Sequence, residues 1–152
     1  MNNFGLVVIG AHSGVGLNLL FDEYQNENIL LVEPVPYNTA LLKENTAKYK
    51  NISIETSAVS EKNQIKKFYY VKLDAVKKLG KHWASGIGSF DKQHILNHKY
   101  KRFMVSDTDI EEINIQYLTF SDLMDKYLIS SIDLLQIDVE GAEFEILSSI
   151  NF

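Results

Sequence analysis

The sequence predicts an α/β fold built on a doubly wound, mostly parallel sheet. Three observations carry this. Short apolar or alternating runs rich in β-branched residues recur at 6–9, 29–32 and 52–56, with helical patterns between them. The first two end abruptly, at Gly10 and at Glu33-Pro34. A later apolar run, 134–139, meets three acids, Asp138, Glu140 and Glu143, grouped around Gly141. Ligands of such sheets bind at the carboxyl ends of the strands, so this run marks a candidate site.

The elements follow in order. Residues 6–9 form a buried strand ending in the turn Gly10-Ala-His-Ser-Gly-Val-Gly16. Leu17, Leu19, Leu20, Phe21 and Tyr24 favour a helix. The strand at 29–32 stops at Glu33-Pro34, and Pro36 suits the first position of a helix that fades near Tyr49. Ile52, Ile54 and Thr56 alternate as a third strand reaching Ser57-Ala58. Right-handed crossovers would seat both helices. Strands are also predicted at 66–72, 102–106 and 113–118. Residues 74–101 carry no strong period. Thr119 or Ser121 can cap a short helix through Tyr127. The run at 134–139 then leads into a helix from about Ala142.

The 152 residues fit one domain, 1–152, with an irregular basic insertion at about 72–106. A net charge of −5 argues against a dedicated nucleic-acid binder. No apolar run approaches the ~20 residues of a membrane helix. The first residues lack the basic region and cleavage site of a secretory signal. The chain has no cysteine, which excludes disulfides and thiolate metal ligands. The expected compartment is the cytoplasm. Because the sequence stops at Phe152, directly after the helix that follows the acidic strand, the C-terminal strands of the domain are expected to be missing. The strand at 134–139 would then be a costly edge.

The turn reads Gly10-x-x-x-Gly14-x-Gly16, which is not the G-x-G-x-x-G dinucleotide fingerprint. Its spacing suits a smaller group than a pyrophosphate, such as the amino-acid end of a nucleoside conjugate. Glycines in strand-to-helix turns also serve purely steric ends. Glu33 strengthens the ligand reading. It closes the second strand 19 residues after Gly14, where a carboxylate can accept both hydroxyls of a ribose. Alone it reads equally as a solvated acid before a proline turn. Together the two features fit S-adenosylmethionine, with Gly10, Ala11, His12, Gly14 and Gly16 at the methionine and Glu33 at the ribose. Ser57 and Ala58 would face the adenine by position, an ordinary turn being an equal reading.

With these residues in place, the chain resembles the FkbM family of S-adenosylmethionine-dependent methyltransferases. The resemblance rests on Ile9-Gly-Ala-His-Ser-Gly14, on Val32-Glu-Pro-Val-Pro36 with Asn45 beyond, and on Leu135-Gln-Ile-Asp-Val-Glu-Gly-Ala-Glu143. The last matches the family's most specific pattern, Asp-x-Glu-Gly-x-Glu after an apolar strand. Order and spacing agree over residues 5–150, the centre least, where Trp83-Ala-Ser-Gly-Ile-Gly-Ser-Phe90 is similar to a segment of some members. The resemblance implies a Rossmann-like sheet of the class I methyltransferase type. Many members carry an acid two residues before the glycine matching Gly10, where this chain has Val8. One polar contact to the cofactor is therefore absent or supplied otherwise. The family's turn varies at the positions of His12 and Ser13. It also continues with further strands, whose absence here bears on the completeness of the fold and on activity.

Methyl transfer is an in-line displacement in which the protein supplies position and electrostatics. A hydroxyl acceptor must also lose its proton, and a carboxylate or His within reach would help. Asp138 is the first candidate, toward the methionine amino group or the acceptor. Glu140 and Glu143 are the second candidates; strand alternation would put Glu140 on the same side as Asp138 if the strand continues that far, a helix-end role being an equal reading for Glu140. Glu143 reads rather as a helix-capping acid. His12 is a cofactor contact or a solvated group before it is a base. Three local acids also allow Mg²⁺, but no metal is the favoured reading. His94 and His98 lack the glutamate of the zinc-protease pattern and read as solvated.

Lys72, Lys77, Lys78, Lys81 and Lys92, with Trp83, Gly86 and Gly88, suggest either a lid over an anionic acceptor or, preferably, a solvated insertion. A lid would make Trp83 matter more to acceptor KM than to cofactor binding. The leading expectation is O-methylation of a small-molecule or carbohydrate acceptor, without a nucleic-acid or membrane partner. An NAD-dependent oxidoreductase or epimerase is the first alternative, disfavoured by the glycine spacing. A non-catalytic cofactor-binding fragment is the second.

Overall fold

The computed structural model describes residues 2–80, 82–97, 105–139 and 141–150. The chain divides into two compact units, Met1–Gln64 with Gln116–Phe152, and Ile65–Ile115. The first unit opens with β1 (Asn2–Ile9), a 3-10 turn at Val15–Leu17 and α1 (Asn18–Glu23). It continues through β2 (Asn28–Val32), α2 (Pro36–Thr46), β3 (Ile52–Glu55) and β4 (Ala58–Val59). β5 (Gln64–Val71) leads into the second unit, which holds α3 (Leu73–Leu79), β6 (Gly88–Ser89) and α4 (Lys92–Asn97). β7 (Ile110–Leu118) leads back, followed by α5 (Phe120–Lys126), β8 (Ile129–Ile137) and α6 (Glu143–Ser149).

The sheet of the first unit has the order β3-β2-β1-β8, with every pairing parallel. Successive side chains of a strand point to opposite faces, and the core divides accordingly. Leu6 and Val8 of β1, with Ile29 and Leu31 of β2, pack with Phe21 of α1 and Leu42 of α2. Val7 and Ile9, with Leu30 and Val32, pack with Leu123 of α5 and Ile146 of α6. Phe21, Leu42, Leu123 and Ile146 are all fully buried. Each such side chain contributes roughly 1.5–3 kcal/mol by leaving water. Apolar residues on both faces explain why β1 and β2 read as continuous runs rather than alternations. The α/β class and the parallel β-α-β-α-β arrangement therefore stand as predicted.

Local chemistry sets the helix ends. Pro36 occupies the first turn of α2, where its missing N–H costs nothing. Thr119 caps α5, its hydroxyl accepting from the Asp122 N–H at 3.1 Å. The Asp122 carboxylate in turn takes the Thr119 hydroxyl and, at 2.7 Å, the Asn63 amide, and these donors lower its pKa.

The structure corrects the sequence at three places. β8 runs from Ile129 to Ile137 rather than over 134–139. Ser130, Ser131 and Asp133 hid its first half, because polar residues interrupt the apolar run there. The Ser130 and Ser131 hydroxyls bond Asn3 Oδ1 at 3.1 and 2.8 Å, beside the Asn3–Ser131 register pair. Its last tie to β1 is the Asp138 N–H on the Ile9 carbonyl, at 2.9 Å. Of the strand expected at 102–106, residues 102–104 lie outside the described residues, and Val105 and Ser106 are not strand. Ser106 instead caps a 3-10 turn, Asp107–Asp109, in a reciprocal capping box with Asp109. The aperiodic stretch 74–101 holds all but the first residue of α3 and the whole of α4, helices of 7 and 6 residues, too short to register a period.

In the second unit β6 pairs antiparallel with β5, and Val71, Val76, Ile87, Ile95 and Ile110 belong to a separate core. Among the described residues no helix is long and apolar enough to cross a membrane.

Candidate active site

The carboxyl ends of β3, β2, β1 and β8 lie side by side, and each carries residues singled out in the sequence. At the end of β1 the chain turns sharply. The N–H groups of Gly10 and Ala11 both donate to the Val32 carbonyl, at 2.9 and 3.0 Å. Gly10 has φ +87°, and a Cβ there would stand 2.0 Å from the Asp138 carbonyl oxygen. Gly10 is therefore required by the close approach of β8, which couples the turn to the acidic strand end. Gly14, at φ +75°, abuts Leu42 of α2, where a Cβ would come within 2.7 Å of Cδ1. Gly16 differs, since a Cβ there meets nothing within 4 Å. His12 also holds positive φ, +51°, and its Nδ1 lies 3.3 Å from the Ser13 hydroxyl. The Asn45 amide donates to the Ser13 carbonyl at 2.8 Å, tying α2 to the turn.

Glu33 is 5% exposed, not a solvated acid. Its Oε2 accepts the His12 N–H at 2.9 Å. Its Oε1 accepts the Val35 N–H at 2.9 Å and, more weakly, the Asn38 amide at 3.5 Å. The carboxylate thus clamps the glycine turn to the end of β2. Three donors leave about one of its roughly four acceptor positions for a ligand. Burial raises the Glu33 pKa, and the hydrogen bonds from Val35, His12 and Asn38 oppose that rise.

Next along the sheet, Glu55 closes β3, its backbone carbonyl accepting the Glu33 N–H at 2.9 Å. Glu55 is 5% exposed and binds the Thr56 and Ser57 N–H groups, the Tyr127 hydroxyl and the Lys126 ammonium. Burial works most strongly against its charge. Lys126, the Ser57 N–H and Tyr127 outweigh it, so the carboxyl lies below its usual range. The Tyr127 hydroxyl is pushed the other way, upward, by burial and by Glu55. Sequence reasoning passed over Glu55. The signal was the one that found Glu33, an acid closing an apolar strand before a turn. Ser57 and Ala58 are both buried, and Ala58 lies in β4, paired with Tyr117.

Asp138 follows the last residue of β8 and is exposed, its backbone anchored to Ile9. Since the strand ends at Ile137, the alternation expected to align Asp138 with Glu140 does not extend that far. Glu140 lies outside the described residues. Glu143 sits in the first turn of α6 and accepts the Gly141 N–H at 3.2 Å, a helix-end role. Among the described residues no group of three His, Asp or Glu side chains is placed to hold a metal ion. His98, Lys81 and the Trp83 side chain lie outside the described residues. Of the other insertion lysines, Lys92 pairs with Asp107 at 2.7 Å and Lys72 donates to the Thr108 carbonyl at 2.8 Å.

The family model described as the methyltransferase FkbM domain matches residues 9–152. No curated protein and no solved structure matches the chain.

Proposed function

The chain belongs to the FkbM methyltransferase family, and we propose that its donor is S-adenosylmethionine and its acceptor a hydroxyl of a small molecule or sugar. The observation that carries the donor is the clamped pair of strand ends. Glu33 is held at the end of β2 with acceptor capacity left over, and the glycine turn tied to it by the His12 N–H leaves open space at Gly16. The residues present fit the group. Glu33, with about one acceptor position left, would hold one ribose hydroxyl rather than both, and Gly10, Ala11, His12, Gly14 and Gly16 would surround the methionine end. Ser57 and Ala58 would lie toward the adenine.

When bound, S-adenosylmethionine supplies a methyl group on a sulfonium, which needs a nucleophile in line and little else. The chain's own part is position. Asp138 is exposed, and its backbone is tied by its N–H to the Ile9 carbonyl and lies close against Gly10, where the lack of a Cβ leaves room for its carbonyl. It is the group assigned to hold the methionine amine or to take the acceptor's proton, with Glu140 the alternative for the proton.

The experiment is transfer of a labelled methyl group from S-adenosylmethionine across a panel of hydroxyl, amine and carboxylate acceptors. Labelled ethers should form with wild type, and Asp138→Asn should lower kcat at least tenfold, as loss of a general base does. Label appearing only on nitrogen would overturn the oxygen assignment.

A further inference from the structure

Two buried carboxylates, Glu33 and Glu55, close neighbouring strands. Glu55 is 5% exposed. Its Oε1 accepts the N–H groups of Thr56 and Ser57, at 2.9 and 3.0 Å. Its Oε2 accepts the Tyr127 hydroxyl at 3.0 Å and the Lys126 ammonium at 2.6 Å. Four donors fill the roughly four acceptor positions of a carboxylate, so Glu55 has none left for a ligand. What it can do is fix a peptide. The Thr56–Ser57 peptide is trans, so its N–H and C=O point in opposite directions. With the Ser57 N–H turned in to Glu55, the Thr56 carbonyl is turned away from it. Thr56 is exposed, while Glu55 and Ser57 on either side are buried. At the end of β3 the two backbone donors, Thr56 and Ser57 N–H, are thus spent inward on Glu55, and the Thr56 carbonyl is the acceptor of that peptide facing the other way.

Resting on the reading that S-adenosylmethionine lies across these strand ends, we propose that Glu55 is a positioning residue that aims the Thr56 carbonyl at the exocyclic amine of the adenine. Lys126 and Tyr127 hold Glu55 in that role. The selectivity is one of hydrogen-bond polarity. An adenine amine donates to the carbonyl, whereas hypoxanthine would bring a keto oxygen against it. Lys126 is the component that can be changed most cleanly, because its side chain is 52% exposed. Lys126→Met keeps the stem and removes the charge, leaving a buried carboxylate without its counter-ion. Glu55 then keeps its bonds to the Thr56 and Ser57 N–H groups and to Tyr127 but loses one of its four ties, so it holds the Thr56–Ser57 turn less tightly.

Calorimetry with S-adenosylhomocysteine and S-inosylhomocysteine tests this. Wild type should prefer the adenine compound by about tenfold or more, the worth of one well-made hydrogen bond. Lys126→Met should shrink that preference by about threefold or more, toward equal binding of the two compounds. Lys126→Arg should restore it. Loss of fold alone lowers both affinities and leaves their ratio untouched, and Tyr127→Phe supplies a second variant should Lys126→Met melt. A wild type that binds both compounds equally, or a folded variant with the wild-type ratio, overturns the proposal alone. A wild type that binds neither overturns the proposal together with the donor reading.

Discussion

Replacing Glu33 with glutamine tests whether the buried carboxylate is the clamp of the glycine turn. The substitution keeps the shape and changes one acceptor oxygen into a donor amide. Glu33 receives His12 on one oxygen and Val35 with Asn38 on the other. A glutamine oxygen can serve only one side, so its amide must face a backbone N–H on the other. Leaving one buried donor unsatisfied costs about 1–3 kcal/mol. Part of this is returned, because wild type buries a charge whose pKa burial raises. A net loss of about 1–2 kcal/mol lowers Tm by roughly 2–8 °C in a chain of this size. The pH dependence gives the sign. A carboxyl raised above its ordinary value of 4.5 binds its proton more tightly when folded. Its contribution is fully present below that value and is lost as pH rises through the folded pKa. The advantage of wild type over Glu33→Gln should therefore shrink as pH rises from about 4.5 upward. Thermal melts of both proteins across that window provide the assay. Equal Tm values would refute the clamp, and an advantage that grows with pH would refute the raised pKa.

Gly10→Ala should destabilise by at least about 2 kcal/mol in urea unfolding, combining positive φ with a clash on the Asp138 carbonyl; wild-type stability would mean that β8 does not approach so closely. Gly16→Ala should change stability by less than about 0.5 kcal/mol, since a Cβ there meets nothing. The same variant should weaken S-adenosylhomocysteine binding, and unchanged affinity would remove Gly16 from the cofactor contacts. Thr119→Ala should cost about 1 kcal/mol in the same unfolding assay through loss of the α5 cap; no change would leave the cap without energetic weight.

The elements legible in the sequence were those whose patterns are self-contained. β1 and β2 are buried on both faces, and a continuous apolar run admits little else. Pro36 and Thr119 marked helix starts because their roles depend on local backbone chemistry alone. The first half of β8 was hidden because Ser130 and Ser131 find their partners in Asn3, well over a hundred residues away in the chain. α3 and α4 were hidden by brevity. Ser106 and Asp109 form a capping box that the strand expected at 102–106 overlooked.

At the site, glycine positions, Glu33 and Asp138 were visible as punctuation at strand ends. What the glycines answer to was not. Gly10 answers to the Asp138 carbonyl and Gly14 to Leu42, contacts across strands and layers that spacing does not encode. Glu55 was legible as an acid closing a strand, as Glu33 was, but its partners Lys126 and Tyr127, which reach it from α5 and the residue that follows, were not.

The central claim is that these strand ends bind S-adenosylmethionine. Isothermal titration of the purified protein with S-adenosylmethionine, S-adenosylhomocysteine and NAD tests it most directly. Saturable heats are predicted for the first two, weakened by Glu33→Ala on the order of 1–3 kcal/mol, and none for NAD. Binding of NAD without binding of S-adenosylmethionine would contradict the account.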